Sequence, residues 1–165
     1  MKNYDWSTFT QRVSIRASDE AIINAWVTRE GLESWFLSKA EFTGRDNSLR
    51  DLNSRVEVGD KYTWNWHGYA DYVGTGEILK ERGSSFLTFT FSGGSIVLVA
   101  VKHDADETIC ELQQIMTQES DLDKRYYYIE CGKGWTFYLA NLKSILEGGL
   151  DLRNKNTGLV DMINA

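Results

Sequence analysis

The chain has 165 residues, 42% of them hydrophobic and 25% charged, with a formal net charge of -6. That size suits one domain with one core, and the balance is that of a soluble globular protein with no apolar run of the ~18 residues a membrane span needs. The acidic balance and the dispersed basic residues argue against nucleic acid or an anionic membrane as partner, because both demand a concentrated basic surface.

The start, Met1-Lys2-Asn3-Tyr4-Asp5-Trp6, lacks the apolar stretch of a secretory signal, and no Asn-x-Ser/Thr acceptor occurs. Cytoplasmic residence is the expectation. Cys110 and Cys131 have no metal-ligand spacing and are expected to be buried or semi-buried free thiols, as a reducing compartment favours.

From Phe9 to Ala17 apolar and polar residues alternate, which predicts a half-buried antiparallel strand. Ser18 offers an N-cap and Asp19-Glu20 put negative charge in a first turn, so a short helix carrying Ile22, Ile23 and Trp26 follows. Thr28-Arg29-Glu30-Gly31 breaks it, and Leu32, Trp35 and Phe36 at i, i+3, i+4 predict a second short helix. Lys39 to Gly44 reads as a strand. Arg45 to Asp60, polar and poor in large apolar groups, reads as a long solvated loop whose length hints at a cavity mouth.

Five further strands are predicted at Lys61–His67, Asp71–Glu81, Ser85–Ser92, Ser95–His103 and Glu107–Met116, separated by Gly68, Arg82-Gly83, Gly93-Gly94 and Asp104-Ala105-Asp106. The chain has no proline, so boundaries rest on glycine and charge. A long helix from about Asp123 to Glu147 follows, with Trp135, Leu139, Leu142 and Leu146 at helical spacing and Gly148-Gly149 as its stop. Residues 150–165 form a tail with Leu159, Val160, Met162 and Ile163, enough to pack on a neighbour.

Aromatic residues make up 13% of the chain, and they are ordered. Tyr62, Trp64 and Trp66 share one strand face, as do Leu87, Phe89 and Phe91, and Cys110, Leu112, Gln114 and Met116. A final helix laid over such a sheet builds an aromatic core, and it leaves part of that surface open as a cavity if one stripe cannot cover it.

The order of strand, two short helices, six strands and a long helix, together with three segments, resembles a known family. The segments are Ala17-Ser18-Asp19-Glu20-Ala21-Ile22-Ile23-Asn24-Ala25-Trp26-Val27-Thr28-Arg29-Glu30-Gly31-Leu32-Glu33-Ser34-Trp35-Phe36, then Tyr72-Val73-Gly74-Thr75-Gly76-Glu77-Ile78-Leu79, then Gly134-Trp135 with Leu139 and Leu142. They are similar to the START-like (SRPBCC) helix-grip superfamily, and within it to bacterial homologues of the activator of heat-shock-protein-90 ATPase, grouped with polyketide cyclases and dehydrases. The resemblance implies an α+β fold: a seven-stranded antiparallel sheet gripping the long C-terminal helix, two short helices after strand one, and a deep pocket between sheet and helix. Residues 1–165 then form a single START-like domain. Such proteins usually open the first helix with a proline-containing segment, which this chain lacks, so Ser18 caps it alone. The superfamily shares no single chemistry.

No Gly-x-Ser-x-Gly, His-Glu-x-x-His or phosphate loop is present, and Gly74-Thr75-Gly76 lies inside a predicted strand. His67 and His103 stand apart from other ligands, so no metal or other cofactor is expected. Glu77, in a mostly apolar run, is a candidate buried acid, although alternation also allows it to pair with a cross-strand Lys or Arg; Asp71 is a second candidate.

Three functions stay open. The first is binding of a small apolar or aromatic molecule by Trp35, Phe36, Trp64, Trp66, Tyr72, Phe89, Trp135, Tyr138 and Leu142. The second is a co-chaperone-like interaction module. The third is a cyclase- or dehydratase-like enzyme using the same pocket. A homodimer is compatible with each, and the acidic chain carries no mark of a chaperone interface.

Overall fold

A computed structural model of the chain describes residues 4–69, 71–159 and 162–164. In chain order the elements are β1 (Thr8–Ser14), α1 (Asp19–Val27), α2 (Arg29–Trp35), β2 (Lys39–Thr43), β3 (Lys61–Asn65), β4 (Val73–Leu79), β5 (Leu87–Phe91), β6 (Ser95–Asp104), β7 (Glu107–Ile115) and α3 (Asp121–Leu146), with one 3-10 turn at Ser92–Gly94 between β5 and β6. The strands form one sheet in the order β1-β7-β6-β5-β4-β3-β2, every neighbouring pair antiparallel. The helix-grip arrangement expected from the sequence is therefore present.

The two short helices meet at a single residue. Ser18 Oγ caps α1 by accepting from the Ala21 amide at 3.2 Å, and Thr28 Oγ1 accepts from the Gly31 amide at 2.9 Å to start α2. The break is thus Thr28 alone, and Gly31 lies inside the first turn of α2. Its role is close approach: a Cβ there would collide with the Asn24 carbonyl oxygen and come within 2.8 Å of the Ala25 Cα.

Helix α3 begins two residues earlier than the sequence suggests, because Ser120 Oγ accepts from the amides of Leu122 and Asp123. Its end is as expected. Gly148, at φ 79°, donates to the Ile145 carbonyl and Gly149 to the Ser144 carbonyl, the paired bonds of a Schellman cap. Trp135, Leu139 and Leu142 are buried by this helix against the sheet and α2.

The core is aromatic. Trp26 and Trp35 meet edge to face at 4.6 Å, Tyr62 and Trp64 stack at 3.9 Å, and Phe89 meets Trp64 at 5.3 Å. Large rings fit because β4 presents glycine on the same face. The ring of Tyr62 lies over Gly76, and that of Trp66 over Gly74, where a Cβ would sit 2.7 Å from the indole.

Residues 45–60 are mostly exposed, as a solvated loop should be, but a buried ion pair ties the loop down. Asp60, 1% exposed, receives both Nε and Nη2 of Arg50 at 2.8 Å and the Glu57 amide at 2.8 Å. That paired geometry satisfies a charge that burial alone would make costly.

Among the described residues, the tail is attached by polar groups. Arg153, 7% exposed, donates to the carbonyls of Leu37, Glu33 and Ser34 at the end of α2, and pairs with Asp151 at 2.7 Å. Buried Asn141 of α3 donates to the Trp35 carbonyl and accepts from the Leu152 amide. Leu159, Met162 and Ile163 are exposed, and Val160 lies outside the described residues.

Candidate functional site

At the sheet end where β3 runs out, β4 begins and β5 finishes, side chains draw back from α3 to leave a cavity of about 520 Å³. Three groups wall it. Trp66, Tyr69 and Tyr72 come from the β3–β4 connection; Phe91, Ser92 and Gly93 come from the end of β5 and the 3-10 turn; and Tyr126, Tyr127, Glu130, Cys131, Gly134, Trp135, Phe137 and Tyr138 come from α3. Phe36, just past α2, and Ile163 of the tail complete the lining.

Each wall has a local cause. The 3-10 turn is held by the segment leading into α3: Gln118 Nε2 donates to the Gly93 carbonyl at 2.7 Å and Thr117 Oγ1 to that of Gly94 at 2.9 Å. Gly93 sits at φ 66° with the Tyr127 ring against it, so both the backbone conformation and the close approach require glycine. Trp135 is oriented by its Nε1, which donates at 2.8 Å to Oε1 of fully buried Gln114 on β7. Trp66 and Tyr72 lie 5.5 Å apart at 40°, and Phe36 meets Tyr138 edge to face at 4.8 Å.

Burial acts on two of the ionisable groups here. Burial raises the pKa of the Cys131 thiol, a hydrogen bond with Gln114 opposing the shift only in part. Burial likewise raises Tyr138. Glu130 is half-exposed and pairs with Lys133 at 2.8 Å.

Five of the nine residues named from the sequence meet at this cavity: Phe36, Trp66, Tyr72, Trp135 and Tyr138. Trp35, Trp64, Phe89 and Leu142 are at most 1% exposed and belong to the packed core behind it, outside the lining. No residue of the 45–60 loop lines the cavity either; its backbone bonds run to Val27, Glu30, Phe42 and Ile78.

Of the α3 face formed by Tyr127, Cys131, Gly134 and Tyr138, sequence reasoning named only Tyr138 as a site residue. That spacing of four, three and four is itself a helical stripe, beside the core stripe of Trp135, Leu139 and Leu142. Gly134 is notable because it lines the cavity from mid-helix and a Cβ there would meet nothing within 4 Å.

The candidate acids lie elsewhere. Glu77 is exposed on the outer sheet face and stands opposite Lys61 in the β3–β4 register, and Asp71 is exposed near the start of β4. Neither lines the cavity. His103 Nε2 stands 3.0 Å from Asp19 Oδ2 at the surface. Among the described residues no three of His, Cys, Asp and Glu come together as a metal-ion site, and no helix is long and apolar enough to cross a membrane.

No family model and no curated protein matches the sequence. Solved structures do match. A Staphylococcus saprophyticus protein superposes with a TM-score of 0.66 at 18% identity, covering 88% of this chain and 96% of its own. The Aha1 dimer from Colwellia psychrerythraea gives 0.60 at 18% identity, covering 86% and 97%. An AHSA1-like protein from Aeromonas hydrophila gives 0.58 at 15% identity, covering 85% and 92%. Near-complete coverage of both partners at so little identity is a statement about architecture, and the chain shares the helix-grip fold of these Aha1-like structures.

Proposed function

We propose that the protein binds a small apolar or aromatic molecule in the cavity between the sheet and α3. The carrying observation is the cavity itself: about 520 Å³, walled chiefly by aromatic rings, a volume within the roughly 300 to 1,000 Å³ of small-molecule sites. A glycine in mid-helix supports the reading. Gly134 costs α3 about 0.5 to 1 kcal/mol relative to alanine, and no neighbouring atom demands it, so its consequence is open space.

Phe36, Trp66, Tyr72, Trp135 and Tyr138 serve as the wall, with tyrosine hydroxyls to orient the ligand. Free Cys110 and Cys131 suit a cytoplasmic setting, and a homodimer is proposed by analogy with the neighbour described as a dimer. A chaperone contact rests on the neighbours' names alone.

The test is titration with N-phenyl-1-naphthylamine, following probe emission and quenching of indole fluorescence. Saturable binding at micromolar concentration is expected, abolished or weakened roughly tenfold by Gly134→Leu. Absence of binding to the folded protein would reject the cavity as a ligand site.

A further inference from the structure

We infer that the cavity selects an organic cation, a quaternary ammonium or protonated amine carried on an apolar or aromatic group; this rests on the cavity being a binding site at all. The wall chemistry points there. Among the described residues sixteen line the cavity; ten of these are aromatic, and none is Lys, Arg or His. The only carboxylate among them is Glu130.

Aromatic faces carry the negative part of the ring quadrupole, so a cage of them attracts a weakly hydrated cation and offers an anion no compensation. The rings are arranged as bent walls rather than flat stacks. Trp66 and Tyr72 meet at 40° with centroids 5.5 Å apart, and Phe91 and Trp135 at 41° and 5.0 Å. A flat aromatic ligand alone would be served by parallel faces; walls at an angle suit a compact, roughly spherical group such as trimethylammonium.

Charge around the site agrees. Glu130 engages Lys133 at 2.8 Å, but the two side chains are 48% and 68% exposed, so the pair is solvated and readily exchanged. The chain's net charge of -6 draws cations toward the protein over longer range. The chain's own use of this chemistry is elsewhere: Arg125 stands 5.7 Å over Trp6, a ring outside the cavity.

The decisive comparison uses isosteres on the full chain: benzyltrimethylammonium, neopentylbenzene, which replaces the nitrogen by carbon at the same shape, and 3-phenylpropionate as an anion. Affinities are read by calorimetry and by displacement of N-phenyl-1-naphthylamine. We expect the cation to bind roughly tenfold or more tightly than the neutral isostere despite its greater solubility in water. Tyr72→Leu, at a half-exposed position, should weaken the cation about fivefold more than it weakens neopentylbenzene, because leucine keeps an apolar wall and removes the ring face. Glu130→Gln should weaken the cation about threefold and flatten its salt dependence. Equal or tighter binding of neopentylbenzene, or preference for the anion, overturns the cation assignment while keeping the cavity as an apolar site. Failure of all three and of the naphthylamine rejects the binding reading beneath it.

Discussion

Replacing Gly134 separates stability from function within one residue. It sits at the middle of the 26-residue α3, with ordinary helical backbone, and an added Cβ meets nothing within 4 Å. Gly134→Ala therefore gains the helix-propensity difference of about 0.5 to 1 kcal/mol with no steric loss. For a chain of this length that is an increase in melting temperature of about 1 to 4 °C, measurable by calorimetry. Gly134→Leu should keep most of that gain while its side chain projects into the cavity, so ligand affinity should fall roughly tenfold, or about 1.4 kcal/mol. Gly132→Ala supplies the control: its added Cβ would reach only Gln11 Nε2, at 4.0 Å, and Gly132 lies outside the lining, so stability should rise and binding stay unchanged. A Gly134→Ala variant no more stable than the parent, or a Gly134→Leu variant that binds as well as the parent, would refute the reasoning.

Leu142→Ala should cost about 2 to 5 kcal/mol in urea denaturation, since the side chain is fully buried; a loss under ~1 kcal/mol would mean the helix face is misassigned. Arg153→Met leaves the carbonyls of Leu37, Glu33 and Ser34 without its donors, while Asp151 keeps Lys155, so it should destabilise by about 1 to 3 kcal/mol, with proteolysis in the tail appearing first. Hydrogen bonds from Arg153 and Lys155 outweigh burial and hold Asp151 well below its ordinary value of 3.8. Its contribution is therefore complete above about pH 4 and is lost as pH falls through the folded value, and Asp151→Asn should remove that share of the acid dependence in a stability-against-pH series. Burial raises the Cys131 thiol and pushes Cys110 up to about 12, so at pH 7.5 a thiol reagent should label Cys131 slowly and Cys110 only on unfolding, with cavity ligands protecting Cys131.

Local pattern carried most of the architecture. Alternation in β1, the Ser18 cap, the i, i+3, i+4 triplet of α2 and the Gly148-Gly149 stop are decided by neighbours a few residues apart, so a single sequence suffices to read them. Even the sidedness of the aromatic strands was legible, because successive side chains must point to opposite faces. What alternation cannot give is position along that face. Trp64 and Trp66 share it, about 6.6 Å apart, yet Trp64 is sealed beneath Phe36 and Phe89 while Trp66 lines the cavity over Gly74.

The same holds for the loop from 45 to 60, whose length suggested a cavity mouth. The Arg50–Asp60 pair and backbone bonds to Val27 and Ile78 place it elsewhere, and ion pairs between a loop and its own far end leave no periodic trace in sequence. The cavity arises where α3, between Tyr126 and Tyr138, stands off the sheet end at Trp66, Tyr72 and Phe91. Whether a ring fills a core or walls an opening depends on the distance between two packed elements, and that distance is set by the whole sheet's curl around one helix rather than by any residue's neighbours in the chain.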